Sequence, residues 1–334
     1  MTTPTKKVTL DDLSGRLQLS KFSISRALGG KKGVSSSTRE LVMNAARELG
    51  YMHPGVRTGS ATDKQLVHLI IPRKDVIDNP SWIEAISGAE AEARRMGWTL
   101  VTAFAEEDYA VASDSAGING ILLAGRRSRG LLEGYTSLDL PIVLIGYPNP
   151  GEHLDTVHVA DWEGGVLIGR HLKGLGHKRI AFVTDAPSDL GRRERCRGCR
   201  DALSDEGEVV EVLYDPESER EPGALYSRLK ASGPMPTAIV CGSETVCFAA
   251  IVALSEAGVR LPDDMSLVGS QTSPRPAQGG FNVTAIRNPT YRVGAMAADL
   301  LRQRMLAGSD WVPRRVALCP ELIVNATTGA PTDA

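Results

Sequence analysis

No stretch of the 334-residue chain approaches the ~20 consecutive apolar residues of a membrane span. Its opening residues, MTTPTKKVTLDD, lack the apolar core of a secretory signal. A cytoplasmic protein without a membrane partner is therefore expected. Cysteine is scarce, five in all, and an odd number without a framework fits a reducing compartment rather than a disulfide scaffold. The six histidines form no HxxxH pair. Cys196 and Cys199 have CxxC spacing, but a structural zinc needs four ligands and no second pair follows. Packing within a helix is the preferred reading over a redox pair. Phosphate loops of the GxxxxGK[ST] kind and GxSxG elbows are missing too. No metal, no cofactor and no enzymatic activity are expected. Aromatics make up only 5%, and with frequent Gly and Ala this suits an α/β domain better than an aromatic-rich sandwich.

What is present is unevenly distributed. Residues 1–60 hold ten basic and four acidic groups, a balance of +6, against −2 for the whole chain, which leaves −8 for the rest. A basic head on an acidic body suggests that the head meets a polyanion. Thr9-Leu-Asp-Asp12 has the form of a helix cap, and Leu10, Leu13 and Leu17 recur at helical spacing. Ser20 can cap a second helix carrying Ile24, Ala27 and Leu28 and ending at Gly29-Gly30. A third helix is expected from Ser35–Ser37, with Ser37 and Glu40 as a capping box and Leu41, Ala45 and Leu49 on one face. Together these predict a helix-turn-helix. Lys21, Phe22 and Ser25 lie opposite Ile24 and Leu28, available to a major groove. Ser20, Ser23, Arg26 and Ser35 can donate to phosphates. A plain three-helix bundle with a solvated basic face is the competing reading.

From Leu66 onward short apolar runs alternate with helical stretches: LVHLII (66–71), WTLVTAF (98–104), GILLAG (120–125), PIVLIG (141–146), VHVAD (157–161), RIAFVTD (179–185), VVEVLY (209–214), TAIVCG (237–242) and MSLVGS (265–270). This rhythm predicts parallel βαβ units in two doubly wound subdomains, with a small-molecule cleft at the strand ends. The expected division is a helix-turn-helix at 1–51, a linker or hinge at 52–65 and a sensing domain at 66–329. Within the last, one subdomain takes about 66–159 and 288–318, the other about 160–287 and 319–329.

VTLDDLSGRLQLSKFSISRALGGKKGVSSSTRELVMNAARELGY (8–51) resembles the DNA-binding headpiece of the LacI/GalR repressors, matching V-T-x-x-D-V-A, G-V-S-x-x-T-V-S-R-x-L and V-S-x-x-T-R-x-x-V-x-x-A-x-x-L-G-Y at Ser20, Ile24, Ser25, Arg26, Val34, Ser35, Thr38, Arg39, Leu49, Gly50 and Tyr51. The resemblance continues in Asn79-Pro80-Ser81-Trp82, in LKGLGHKRIAFV (172–183), in RRERCRGCRDAL (192–203), and most closely in residues 236–270. It implies a transcription regulator, a repressor binding operator DNA as a homodimer or a tetramer, with a periplasmic-binding-protein-like sensing domain. Lys21 and Phe22 then fall at positions that choose the operator. Trp82, Arg195, Ser243, Gln271 and Asn288 fall at effector-binding positions. Two departures stand out. Residues 52–65 contain glycines at 55 and 59 and no Leu where the family has a hinge helix, leaving Val56 as the apolar wedge or the segment as a flexible linker. Val268-Gly-Ser-Gln271-Thr272 replaces V-G-F-D-D, so a neutral amide stands where a carboxylate binds effector hydroxyls. The expected effector is a sugar, a sugar derivative or a small anion. The competing class is a cytoplasmic α/β solute-binding protein or enzyme with a vestigial basic head.

Overall fold

The computed structural model describes residues 10–28, 34–35, 38, 41–42, 45, 65–78, 81–105, 117–125, 129–149, 151–216, 218–219, 221, 223–271, 282–307 and 311–332. The hinge at 52–64, the Asn79-Pro80 pair and the side chain of Gln271 lie outside the described residues. The chain divides into two units, 1–64 and 65–334.

In the first unit, α1 (Leu10–Leu17) and α2 (Lys21–Leu28) are joined by a tight turn in which Gln18 takes a left-handed φ of 53°. Ser14 Oγ ties that turn by donating to the Leu19 carbonyl at 2.7 Å. Leu13, Ile24, Ala27, Val42 and Ala45 form the buried core, with Leu17, Leu19 and Val34 packed against it. Thr38, Leu41, Val42 and Ala45 are helical. The face expected for that third helix is corrected by one residue: Leu41 is 53% exposed, and Val42 with Ala45 turns inward. An i, i+3 pair fits the small core as well as the i, i+4 pair read from the sequence, and packing decides between them.

The second unit holds two six-stranded sheets. The first has strands β1 (Leu66–Pro72), β2 (Thr99–Ala105), β3 (Ile118–Ala124), β4 (Ile142–Ile145), β5 (Asp155–Val159) and β11 (Arg315–Leu318), in the order β11-β5-β4-β3-β1-β2, all parallel. The second has β6 (Arg179–Thr184), β7 (Glu208–Leu213), β8 (Ala238–Cys241), β9 (Ser266–Gln271), β10 (Thr284–Arg287) and β12 (Glu321–Ile323), in the order β12-β10-β9-β8-β6-β7. Only β12 runs antiparallel there. The fully buried strands are continuous apolar runs because helices cover both faces. Between them run α3 (Arg73–Asp78), α4 (Ser81–Arg95), α5 (Arg129–Thr136), α6 (Asp161–Gly174), α7 (Leu190–Leu203), α8 (Ala224–Ala231), α9 (Glu244–Glu256) and α10 (Thr290–Leu306).

Each half contains one helix pair in backbone-to-backbone contact. A methyl at Gly88 would land on the Tyr291 carbonyl, and one at Gly294 on that of Ala85, so α4 and α10 touch. A methyl at Gly165 would land on the Arg195 carbonyl, and one at Gly198 on that of Trp162, so α6 and α7 do the same. The chain passes between sheets three times, at Val159–Asp161, Arg287–Thr290 and Leu318–Glu321. Two of these passages are linked, Ala160 N donating to the Leu318 carbonyl at 2.9 Å. Strand order reverses direction between β1 and β3 and between β6 and β8, which marks the carboxyl ends of those strands as the switch points where α/β folds bind ligands.

Candidate functional site

On α2 the sequence separates two faces cleanly. Ser20 caps the helix, its Oγ accepting from Ser23 N at 3.1 Å and lying 3.0 Å from Ser23 Oγ. Ile24 and Ala27 point into the core, whereas Phe22 is 69% exposed. Lys21 is exposed beside it, and Ser23, Ser25 and Arg26 are half-buried. Arg26 reaches back over the Phe22 ring, its guanidinium carbon 5.3 Å from the centroid. Ser35 is exposed and caps the third helix, Oγ accepting from Thr38 N at 3.1 Å and lying 2.7 Å from Thr38 Oγ1. α2 therefore carries an exposed Lys21–Phe22 end on a helix whose other face is sealed into the core.

The second cluster forms where β5, β6, β8 and β9 end. Asp161 opens α6 and is buried with Arg195 of α7, each 5% exposed. The close approach at Gly165 and Gly198 brings the two helices near enough for that meeting. Arg195 Nε and Nη2 both donate to Asp161 Oδ1, at 3.1 and 2.5 Å. Its Nη1 donates to Ser270 Oγ at 3.2 Å and to the Gly242 carbonyl at 3.4 Å. Burial pushes the Asp161 carboxyl upward, and the guanidinium opposes that shift. Burial acts to lower the Arg195 value, but the carboxylate outweighs it and the guanidinium is held more firmly charged. A second pair lies alongside: Arg192 Nη1 donates to Asp185 Oδ1. Ser243 Oγ donates to Asp185 Oδ2 at 3.5 Å and also caps α9 by accepting from Val246 N at 3.1 Å. Asp189 caps α7, accepting from Arg192 N at 2.8 Å.

The first sheet contributes from the same end. Trp82, at the start of α4, is half-buried with its ring edge against Gly146, whose φ of 108° no larger residue would readily adopt. Tyr147 follows, its hydroxyl donating to the Val159 carbonyl at 3.1 Å and accepting from Asp161 N at 3.3 Å. Burial pushes this phenol well above its ordinary range. Asn288 sits in the second passage between sheets, and its buried Oδ1 has no hydrogen-bond partner.

Of the effector positions inferred from the sequence, Arg195 and Ser243 come together, with Gln271 ending the neighbouring strand. Trp82 stands on the other subdomain against Gly146, apart from that hydrogen-bonded group. Four members were missed: Asp161, Asp185, Arg192 and Ser270. One signal was available, since an Arg expected inside a fold calls for a carboxylate and Asp161 closes the VHVAD run. The CxxC cysteines are packed in the α6–α7 core with Ile168 and Phe182. Burial raises the Cys196 thiol to about 12 and Cys199 further, so neither is a ready nucleophile.

Residues 170–328 match the periplasmic binding protein-like domain. The chain is 27% identical to the HTH-type transcriptional regulator DegA of Bacillus subtilis, across 96% of this chain and 98% of that protein. It is 26% identical to the HTH-type transcriptional repressor PurR of Haemophilus influenzae, across 95% and 97%. Along nearly its whole length the chain is thus similar to HTH-type transcription regulators, in line with its resemblance to the LacI/GalR family. A solved lac repressor dimer bound to operator and the anti-inducer ONPF has the same fold, with a TM-score of 0.66 at 20% identity over 97% of this chain and 100% of that one.

Proposed function

We propose that this regulator is a cytoplasmic homodimeric repressor that binds a two-fold operator through α2 and is controlled by a small ligand in the body. The exposed Lys21–Phe22 end of α2 on a sealed core carries the reading. Lys21, Phe22 and Ser25 face the bases, while Ser20, Ser23, Arg26 and Ser35 meet phosphates. Residues 1–51 act as the head, and 52–65 join it to a sensor spanning 66–329. Trp82, Arg195, Ser243, Gln271 and Asn288 line the ligand site, joined by Asp161 and Ser270. Because Asp161 already neutralises Arg195, a neutral hydroxylated ligand such as a sugar fits this wall better than a small anion. The ligand favours one orientation of the two subdomains, and the dimer holds its heads at operator spacing in one of them. The cluster serves recognition rather than catalysis.

Electrophoretic mobility shift on DNA from the protein's own locus tests this. Retardation of a fragment carrying an inverted repeat is expected, weakening steeply with salt. Absence of any retarded fragment at low salt, with and without cell extract, overturns it. Thermal shift against sugars, sugar derivatives and small acids then identifies the ligand, which raises the melting temperature of the body.

A further inference from the structure

The turn after β6 holds one ion pair that the fold does not require. Asp185 directly follows β6, and Ser243 follows β8 at the same end of the sheet, where Gly242 N donates to the Val183 carbonyl at 2.8 Å. This is the switch point between those two strands. The turn from β6 into α7 is closed without Asp185: Thr184 Oγ1 accepts from Ala186 N at 3.2 Å, and Asp189 caps α7. Arg195 is already neutralised by Asp161. Asp185 and Arg192 nevertheless pair, with side chains only 19% and 10% exposed. Two charges withdrawn that far from water add little net stability. A pair that caps no helix and balances no third charge calls for another use.

We propose that Asp185 and Arg192 select the ligand of the body, by binding two adjacent hydroxyls of a neutral sugar or polyol. This rests on the reading of the body as a ligand sensor, and it adds two residues outside the five positions at which resemblance places an effector. Arg192 commits Nη1 to Asp185 Oδ1, and its side chain has no second acceptor among the described residues, so N–H groups of its fork remain. Asp185 Oδ2 receives the Ser243 hydroxyl at 3.5 Å and keeps a lone pair. An acceptor and a donor thus stand side by side. One hydroxyl can donate to the carboxylate while its neighbour accepts from the guanidinium, which is what a vicinal diol offers. A carboxylate or phosphate would meet three carboxylates, Asp161, Asp185 and Asp189, against two guanidiniums. An ammonium would satisfy Asp185 but leave Arg192 without an acceptor.

Calorimetric titration of the full-length protein tests this, with neutral aldoses, their disaccharides and polyols, and the matching 6-phosphates, uronic acids and 2-amino sugars. A neutral member should bind more tightly than its charged counterparts. Its single-deoxy analogues should lose about tenfold or more at two adjacent positions, since each lacks a hydrogen bond to a charged group. In Asp185→Asn the loss at one of those positions should shrink to about twofold, and in Arg192→Gln the loss at the other. A pair that only holds the turn would weaken sugar and deoxy analogue alike, and an unchanged ratio between them overturns the proposal. So does a phosphate, acid or amino sugar that binds more tightly than its neutral parent, or a full set of deoxy analogues that bind the unaltered protein as well as the sugar does. Where circular dichroism shows a single variant unfolded, Asp185→Asn with Arg192→Gln leaves neither charge stranded and carries the comparison at both positions. If no sugar binds but free amino acids or nucleobases raise the melting temperature, the diol assignment falls and ligand sensing stands. Silence from every class removes the ligand-sensing reading, and this proposal with it.

Discussion

On α2 the residues proposed to meet DNA lie outside the core, and Phe22 contributes surface rather than core. In the body the corresponding residues are inside: Asp161 and Arg195 are each 5% exposed, and their hydrogen bonds reach Ser270 and Gly242 as well as one another. The first arrangement lets recognition change with little cost to folding. The second ties recognition to stability, since removing either charge strands the other in a low-dielectric interior. A regulator built this way can drift in operator preference more freely than in ligand chemistry.

The sharpest way to break this contrast is Asp161→Asn. Losing the carboxylate beside a buried guanidinium is expected to destabilise the body by about 3–5 kcal/mol. Phe22→Ala should stay within about 0.5 kcal/mol of the parent. Urea unfolding followed by circular dichroism of helix content, which both units contribute to, compares them, and equal losses in the two variants would remove the distinction. A smaller effect is expected at the helix crossing that carries Arg195. Gly165→Ala places a methyl on the Arg195 carbonyl and should cost about 1–3 kcal/mol. Gly174→Ala, in the same helix with open space around it, should be neutral or stabilise by up to about 1 kcal/mol. Equal melting temperatures for the two variants would argue against the close contact.

The mildest test uses pH. His177 is buried, its Nε2 2.9 Å from the Gly329 carbonyl and its Nδ1 2.8 Å from Thr237 Oγ1. Burial holds its pKa below 6.5, so the folded state keeps it neutral after the unfolded chain has taken up a proton. Its contribution is therefore complete above pH 6.5 and declines as pH falls through that value toward the folded pKa. The Asp161 carboxyl, raised by burial, acts in the opposite sense in more acidic solution. The urea midpoint should fall between pH 7.5 and 6, less steeply in His177→Gln. The head, whose described residues include no histidine, should show no such slope in helix content. Identical slopes for parent and His177→Gln would exclude His177 as the source.

Nine of the twelve strands, β1–β9, were legible because apolar runs alternate there with helical stretches, whereas β10 (TAIR) and β11 (RVAL), each with an arginine in four residues, were not read. The three-residue β12, Glu-Leu-Ile, is too short to announce itself, and its antiparallel direction follows from tertiary pairing with β10. In the head, periodicity separated Ile24 and Ala27 from Phe22 but misassigned Leu41, because helical spacing allows two neighbouring faces over so few residues. The body site was legible in part. Resemblance pointed to Arg195, but its partners stand 34 and 75 residues away, at Asp161 and Ser270, and no local pattern connects positions so distant. Asp185 and Arg192 are seven residues apart, yet a turn and the start of α7 separate them, so neither strand nor helix periodicity pairs them.

The glycine crossings bear on how a signal could travel through the body. Where two helix backbones touch, interlocking side chains are not available to slip from one packing to another, so sliding within either half is closed as a route of motion. Each half then behaves as a stiff plate, and the compliant places left between them are the three passages of chain near Ala160, Asn288 and Cys319. If the proposed site is occupied, the motion it can pass on is a rotation of one half against the other about those passages.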